Sequence, residues 1–373
     1  MYDCIIVGAG PAGATAAYHL GKAGHQVLLL EAAALPRYKP CGGGVSPQIA
    51  GWFDFDFAPA ISMTVSRVRY TLNLEDPVEV ELPPEQALWM VRRDIFDHLI
   101  VKQAQAQGVT LWDRTKAQGV VARADSWQVD TSQGPVRGRF LIAADGARGS
   151  MAKWLGFSQR RYQQAAALEA EPRLPIAPEP LVYADLGLLR GGYLWNFPKA
   201  DGYSIGGGIF RTGGQRRYDL RTPLLSYAET FKVDASQVKP CGHPILIWDG
   251  PQPLHTHRAV LAGEAACLVD PFTAEGIRPS IFSGLQAARA VHQGLRGDDQ
   301  ALSRYTEVIN RDWGEEMRWA RRIARLVYQL PKLTYRVGVK RSSSSVTLVK
   351  LFCGEVRYSE VAHRALQRLT VGA

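Results

Sequence analysis

The stretch from Cys4 to Glu31 constrains the fold more than any other. Cys4-Ile5-Ile6-Val7 is a short apolar run, broken by Gly8-Ala9-Gly10-Pro11-Ala12-Gly13. Ala14 to Ala23 is rich in alanine and predicts a helix, which Gly24-His25 ends. Gln26-Val27-Leu28-Leu29-Leu30 is a second apolar run, closed by Glu31. Together they predict a βαβ unit, whose right-handed crossover leaves its strands parallel neighbours. The three glycines permit a tight turn and let the backbone approach a pyrophosphate, whose charge meets the helix N-terminus. Glu31, at the end of the second strand, is placed to accept hydrogen bonds from ribose hydroxyls. Dinucleotide binding is therefore expected at Gly8, Gly10, Pro11, Ala12, Gly13, Glu31 and Ala32.

Downstream the pattern changes twice. Pro36 to Gly44 reads as a loop ending in three glycines. From about Ile61 to Met90, the runs Ser66–Leu72 and Val78–Leu82 predict short strands, and helical spacing returns over Asp94–Gln107. Trp127-Gln128-Val129 and Phe140–Ala144 read as strands, and residues 165–250 as an antiparallel sheet broken by Pro and Gly. Val260 to Gly263 reads as a late strand before an alanine-rich helix at 276–293. The C-terminal part looks mainly helical, with Ser342 to Ser345 as a short loop. An α/β pattern that breaks off and resumes predicts an α/β fold. Its expected form is a Rossmann-type domain interrupted by an antiparallel β-sheet substrate domain, with a C-terminal helical segment.

Composition excludes several classes. With 373 residues, 46% hydrophobic and 21% charged, the chain has room for more than one domain and a sizeable core. No apolar window is long enough to span a membrane. Tyr2-Asp3-Cys4 leads straight into a strand, without the basic start of a signal peptide. The five cysteines (4, 41, 241, 267 and 353) are scattered and form no C-x-x-C pair. No disulfide framework and no metal site are expected, and a reducing cytosol is the expected compartment. The 44 Lys+Arg against 35 Asp+Glu leave +9, which favours anionic partners. No nucleic-acid recognition motif accompanies that charge.

Further motifs refine the dinucleotide. Arg93-Asp94-Ile95-Phe96-Asp97 precedes a predicted helix, Asp145-Gly146 follows the strand ending at Ala144, and Gly263-Glu264 follows Val260-Leu261-Ala262. Asp270-Pro271-Phe272-Thr273-Ala274-Glu275-Gly276-Ile277 comes next. This order resembles the p-hydroxybenzoate hydroxylase-like (glutathione reductase type 2) FAD superfamily, over residues 1 to about 295. Lys39-Pro40-Cys41-Gly42-Gly43-Gly44 resembles the K-x-C-G-G-G loop of the geranylgeranyl reductase family. Tyr193-Leu194-Trp195-Asn196-Phe197-Pro198 is similar to that family's Y-x-W-x-F-P substrate motif. Leu351 to Ser359 has a softer likeness to the same reductases.

The resemblance implies one FAD per chain, held by the glycine turn with Glu31, Ala32, Lys39, Cys41, Gly42, Arg93, Asp145, Gly146, Gly263, Glu264, Pro271, Gly276 and Ile277. It implies a cofactor domain of residues 1–60, 91–160 and 255–300, a substrate domain of 61–90 and 161–254, and a helical region over 301–373. The implied reaction saturates isoprenoid C=C bonds of a lipophilic prenylated substrate, with hydride from the reduced flavin N5 and electrons from NADPH. Cys41, Gly43 and Gly44 are then the expected catalytic loop. The period of two along a strand puts Tyr193, Trp195 and Phe197 on one face, an aromatic wall for the prenyl chain, with Pro198 beside them. A free thiol, with a pKa of about 8.5, is protonated at neutral pH and suits Cys41 to positioning an alkene or supplying its proton. The superfamily also contains monooxygenases and halogenases, and a non-catalytic flavin carrier is a further alternative. Glu264 departs from the Asp of the family's late GD motif, which predicts weaker FAD binding.

Between Arg318 and Arg341 stand eight Lys/Arg and no acid, with Trp319, Ile323, Leu326, Val327 and Leu330 at helical spacing. This predicts a basic amphipathic helix, either packed on the core with its cations solvated or suited to an anionic membrane surface. A monomer is expected, with peripheral membrane contact through 318–341.

Overall fold

The computed structural model describes residues 1–174, 177–210, 219–234, 236 and 238–371. Its centre is a parallel sheet. The Tyr2–Val7 strand pairs in parallel with Val27–Leu30 on one side and Gly134–Ala143 on the other. Thr110–Trp112 and Ala259–Leu261 extend it in parallel at the two ends. The four residues of Val27–Leu30 are all buried, as are Ile5, Ile6, Leu141 and Ile142. Strands covered on both faces need continuous apolar runs, which these supply.

Three helices cover this sheet and one another: Pro11–Lys22, Arg93–Ala106 and Ile277–Leu295. The first begins earlier than the alanine run predicts, because Pro11 is tolerated at a first helical position, where its missing N–H costs nothing. The third buries Ile281, Leu285 and Val291, each contributing about 1.5–3 kcal/mol through removal of its side chain from water.

The second sheet has seven strands in the order Cys241–Trp248, Tyr162–Ala170, Gly202–Ile209, Gly192–Lys199, Leu181–Asp185, Arg67–Leu72 and Glu75–Glu81. It is antiparallel except at one join, where Leu181–Asp185 runs parallel to Arg67–Leu72. That join lies between segments far apart in sequence, so no hairpin dictates its direction. A small sheet of Gly44–Val45, Leu88–Val91 and Ile61–Val65 ties the glycine loop to the chain just ahead of Arg93.

The C-terminal part is helical, with two departures from expectation. The basic segment is not one helix. Gly314–Gln329 ends at Leu330, and Pro331 starts a separate turn of helix, Pro331–Thr334, because proline cannot continue the hydrogen-bond ladder. The Ser342–Ser345 stretch is not a loop but opens the Ser342–Cys353 helix. Val349, Leu351 and Cys353 of that helix are buried, and their packing outweighs the modest helix propensity of serine. No helix among the described residues is long and apolar enough to cross a membrane.

Candidate functional site

The carboxyl ends of four adjacent parallel strands meet side by side. Val7 is level with Leu30 and Ala143, and Ala143 with Leu261. The chain therefore leaves the sheet at Gly8, Glu31, Ala144-Asp145 and Ala262-Gly263-Glu264 along one edge, where parallel α/β sheets bind ligands. Gly8 has φ +103°, and a Cβ there would lie 2.4 Å from the Ala144 carbonyl oxygen, so only glycine lets these ends close up. Gly8, Gly10, Pro11, Ala12, Glu31, Ala32, Asp145 and Gly146 all line a cavity of about 400 Å³.

A chain of charges organises this side. Glu31 Oε2 accepts from the Ala9 amide at 3.0 Å, and Oε1 from the Ala33 amide at 3.1 Å. Arg37 donates to Glu31 (3.3 Å) and to Asp97 (3.1 Å). Arg93 holds the same Asp97 through two bonds of 2.7 and 2.8 Å. Burial opposes the charge of Asp97, but Arg93 and then Arg37 outweigh it and keep the carboxyl below its ordinary range. The acid of the R-x-x-F-D pattern therefore serves to aim Arg93 and Arg37. Asp145 Oδ2 accepts from the Met151 amide at 2.9 Å, while its buried Oδ1 has no partner among the described residues. No side chain caps the Pro11–Lys22 helix and no acid stands in its first turn, which leaves the positive helix end to an anion. A close-approach glycine turn, an uncapped helix, an acid closing the second strand and an orphaned carboxylate oxygen fit an FAD.

The opposite wall is one face of the seven-stranded sheet. Residues level with one another on neighbouring strands share a face, so Cys241, Glu169, Gly206 and Trp195 form one row. His243, Ala167, Gly208 and Tyr193 form the next. Phe197 and Lys199 follow along the strand by the period of two. The Gly202–Ile209 strand presents only Gly202, Ser204, Gly206 and Gly208 to this face, so the aromatic rings fold down over it. A Cβ on Gly206 would lie 2.3 Å from the Trp195 ring. Tyr193 donates to the Thr273 carbonyl at 2.6 Å, which fixes the wall to the 270–277 loop.

The Cys41–Gly44 loop runs between the two sides. A Cβ on Gly42 would sit 3.0 Å from the Phe197 ring, and one on Gly44 at 2.8 Å. Buried Lys199 donates to the Gly42 carbonyl at 2.6 Å and holds the loop against the wall. Glu264 lies in the lining, not extended across the cavity. Its Oε1 accepts from the Leu246 amide at 3.3 Å, and its Oε2 is 3.6 Å from Lys39 and 3.5 Å from His243. Burial disfavours its charge, but His243 and Lys39 hold its carboxyl below the ordinary value. Glu275, beside the start of the Ile277–Leu295 helix, is pushed up to about 7 by burial, with Arg278 opposing.

Most sequence-predicted positions meet in this cavity: Lys39, Cys41 to Gly44, Arg93, Glu264, Gly276, Ile277, Tyr193, Trp195 and Phe197 all line it. Gly13, Gly263, Pro198 and Pro271 do not. Gly13 and Gly263 are packing positions, since a Cβ there would meet the Gly8 oxygen at 1.8 Å or Ala12 Cβ at 2.8 Å. Pro198 falls on the other face by alternation, and Pro271 is buried behind the lining. Sequence reasoning missed Arg37, Glu169, Lys199, His243, Glu275 and Phe352. Lys199 was reachable, because it continues the alternation of Tyr193, Trp195 and Phe197, and Glu169 is the one charged residue of the Tyr162–Ala170 strand.

The basic segment also differs from expectation. Arg321 is bonded to Asp249 and Lys340 to Asp76 at 2.7 Å, acids contributed from distant sequence. The face packed on the core is Met317, Ala320, Ala324 and Tyr328, with Trp319 and Ile323 half-buried. Leu326, Leu330, Leu333 and Val337 are 53%, 47%, 54% and 49% exposed, forming an apolar ridge flanked by exposed Arg322, Arg325, Lys332 and Arg336.

Residues 1–173 match the FAD binding domain family. The chain is 25% identical over 342 residues to a digeranylgeranylglycerophospholipid reductase of Thermoplasma volcanium, covering 83% of each. It is 28% identical over 337 residues to a geranylgeranyl diphosphate reductase of Synechocystis, covering 83% of this chain and 81% of that one. A geranylgeranyl bacteriochlorophyll reductase-like protein from Thermoplasma acidophilum shares the fold, with TM-score 0.83, 23% identity and 98% of both chains covered. The glycine turn, the orphaned Asp145 oxygen and these likenesses support an FAD-dependent oxidoreductase that is similar to the geranylgeranyl reductases.

Proposed function

We propose that this protein saturates isoprenoid C=C bonds of a geranylgeranyl-type lipophilic substrate, with electrons drawn from NADPH. The observation that carries this reading is the Tyr193/Trp195/Phe197 wall pressed against the Cys41–Gly44 loop in the same cavity as the glycine turn. Residues 1–60, 91–160 and 255–300 serve the cofactor, 61–90 and 161–254 the substrate, and 301–373 the helical cover.

Bound and reduced, FAD supplies the hydride. The chain's own residues do the rest. An isolated double bond has no neighbouring carbonyl to polarise it, so a proton must reach one carbon as hydride reaches the other. Cys41, in the lining of the same cavity, donates that proton from the thiol. The aromatic faces hold the prenyl chain and favour positive character on the carbon being protonated. Gly42 and Gly44 keep side-chain bulk away from the wall. The start of the Ile277–Leu295 helix, at Gly276 and Ile277, favours negative charge at the cofactor side. Arg93, aimed by Asp97, and Glu31 hold the cofactor's polar parts.

The substrate class also suggests where the protein works. The Leu326/Leu330/Leu333/Val337 ridge with its cations suits contact with an anionic membrane surface. Ala324 and Tyr328 of the same helix pack in the cluster that contains Trp195 and Phe210. The protein acts as a cytoplasmic monomer that touches the membrane from one side.

Anaerobic, dithionite-reduced protein given a geranylgeranyl compound should lose its reduced-flavin spectrum, and the product should gain one H₂ per double bond by mass spectrometry. Cys41→Ala should retain FAD but slow this step at least tenfold, about 1.4 kcal/mol in the barrier. Reoxidation by oxygen alone, with oxygen or halogen in the product, would refute the reading.

A further inference from the structure

Two charged side chains sit within the aromatic wall and have no part in the chemistry described so far. Lys199 is entirely buried and Glu169 is 3% exposed. Side chains of this kind are buried only when something compensates them. Lys199 is compensated by the Gly42 carbonyl at 2.6 Å. Glu169 is not fully compensated, because its Oε1 is buried with no partner among the described residues.

The geometry explains where this carboxyl points. Glu169 is level with Gly206, and Gly206 with Trp195. With no side chain on Gly206, the Trp195 ring occupies the space above it, in the same row as Glu169. Trp195 Nε1 is likewise buried and unpartnered. Glu169 and Cys41 both line the cavity, and the Cys41 backbone amide favours the charged form of the Glu169 carboxyl. The groups facing Glu169 are Glu171 from just past the end of its strand, Lys199 from the wall, Cys41 and Tyr38 from the loop, Arg93 from its helix, and Cys241 level with it. Burial and then Glu171 push the Glu169 carboxyl up, toward its protonated form, while burial pushes Lys199 down against the opposing pull of Glu169.

A route to solvent runs along the same strand. Glu171, just past the end of that strand, has a side chain that is 13% exposed and pairs with Arg92, which also donates to Asp201.

We propose that Glu169 is the proton reserve for Cys41, positioned by Lys199 and refilled from solvent past Glu171. This rests on the reductase reading above. In each turnover the Cys41 S–H bond breaks as a substrate C–H bond forms. The Glu169 O–H bond then breaks as the S–H bond re-forms, and a proton from water restores Glu169. The hydride and its two electrons come from the reduced nicotinamide donor by way of the cofactor, so substrate gains H⁻ and H⁺ and the protein ends unchanged. Glu169 acts through Cys41 and is a relay residue.

The relay separates the first turnover from those that follow, because the first uses the proton already on Cys41. In rapid-mixing experiments with a geranylgeranyl compound and excess reductant, Glu169→Gln should run later turnovers at least tenfold slower than its own first. Glu169→Asp should recover part of the difference. A second measurement needs no turnover: alkylation of Cys41 by iodoacetamide, followed peptide by peptide across pH. Losing the neighbouring carboxylate in Glu169→Gln should move its midpoint down by about half a pH unit or more. FAD content and thermal midpoint verify that the variant is folded. Later turnovers as fast as the first, with an unmoved alkylation midpoint, would overturn the relay and leave the reductase reading intact. A parent that never reduces the prenyl compound would overturn both.

Discussion

Replacing Gly206 with alanine tests the wall at its most crowded point. The new methyl would lie 2.3 and 2.4 Å from two carbons of the Trp195 ring and 2.7 Å from its Nε1. The ring cannot simply slide away. Its Nε1 already lies within 3.1 Å of where a Gly42 Cβ would be, and the Tyr193 ring stands beside it at 5.6 Å between centroids. Overpacking of this kind costs roughly 1–3 kcal/mol. Without the clash, the same substitution should help, because alanine restricts the unfolded chain and gains about 0.4–1 kcal/mol where the backbone allows it. Gly206 has an ordinary strand backbone, without positive φ. The effect should therefore change sign with the partner: destabilising in the parent, neutral or stabilising in a Trp195→Leu background. The coupling between the two sites is then about 1.4–4 kcal/mol, large beside the few tenths expected for independent positions. Denaturant unfolding of the four proteins in the cycle, with and without FAD, measures it. Additive effects would mean that Trp195 does not occupy the space above Gly206, and the argument for how the wall and Glu169 face the cavity would fail.

Three other outcomes follow from the site and its surroundings. Glu264→Asp is too short to keep both Lys39 and His243, so it should release them toward the cofactor and lose FAD more slowly on dialysis than the parent; equal loss would mean the extra methylene is without consequence. Glu275 has a folded-state carboxyl raised from the ordinary 4.5 to about 7, so the native state binds the extra proton between those values. Its contribution to stability is present below pH 4.5 and falls by up to about 1.4 kcal/mol per pH unit on the way to 7; the slope should be shallower in Glu275→Gln, and parallel curves would show that the group titrates normally. Flotation with anionic vesicles should carry the protein up at low salt and less so at high salt. Changing Leu326, Leu330, Leu333 and Val337 to serine, or Arg322, Arg325 and Arg336 to glutamine, should weaken it, whereas Arg321→Gln should matter less because Arg321 is held by Asp249.

How much of this was legible in the chain depends on the range of the interactions concerned. Local signals sufficed for the parallel core: apolar runs of four residues, a glycine turn and an acid closing the second strand dictate a βαβ unit by backbone sterics and burial alone. They also placed Tyr193, Trp195 and Phe197 on one face, since strand alternation is a property of the backbone. What tertiary structure decided is which distant residues answer those local ones. Asp97 turns out to aim both Arg93 and Arg37. Glu264 is drawn back by Lys39 and His243, and the acids missing from 318–341 arrive as Asp249 and Asp76. Glu169 reads in sequence as one of two acids, with Glu171, closing an apolar run. Its place opposite Trp195 follows from strand register across three strands, and register is set by the packing of whole faces, which no window of neighbouring residues contains.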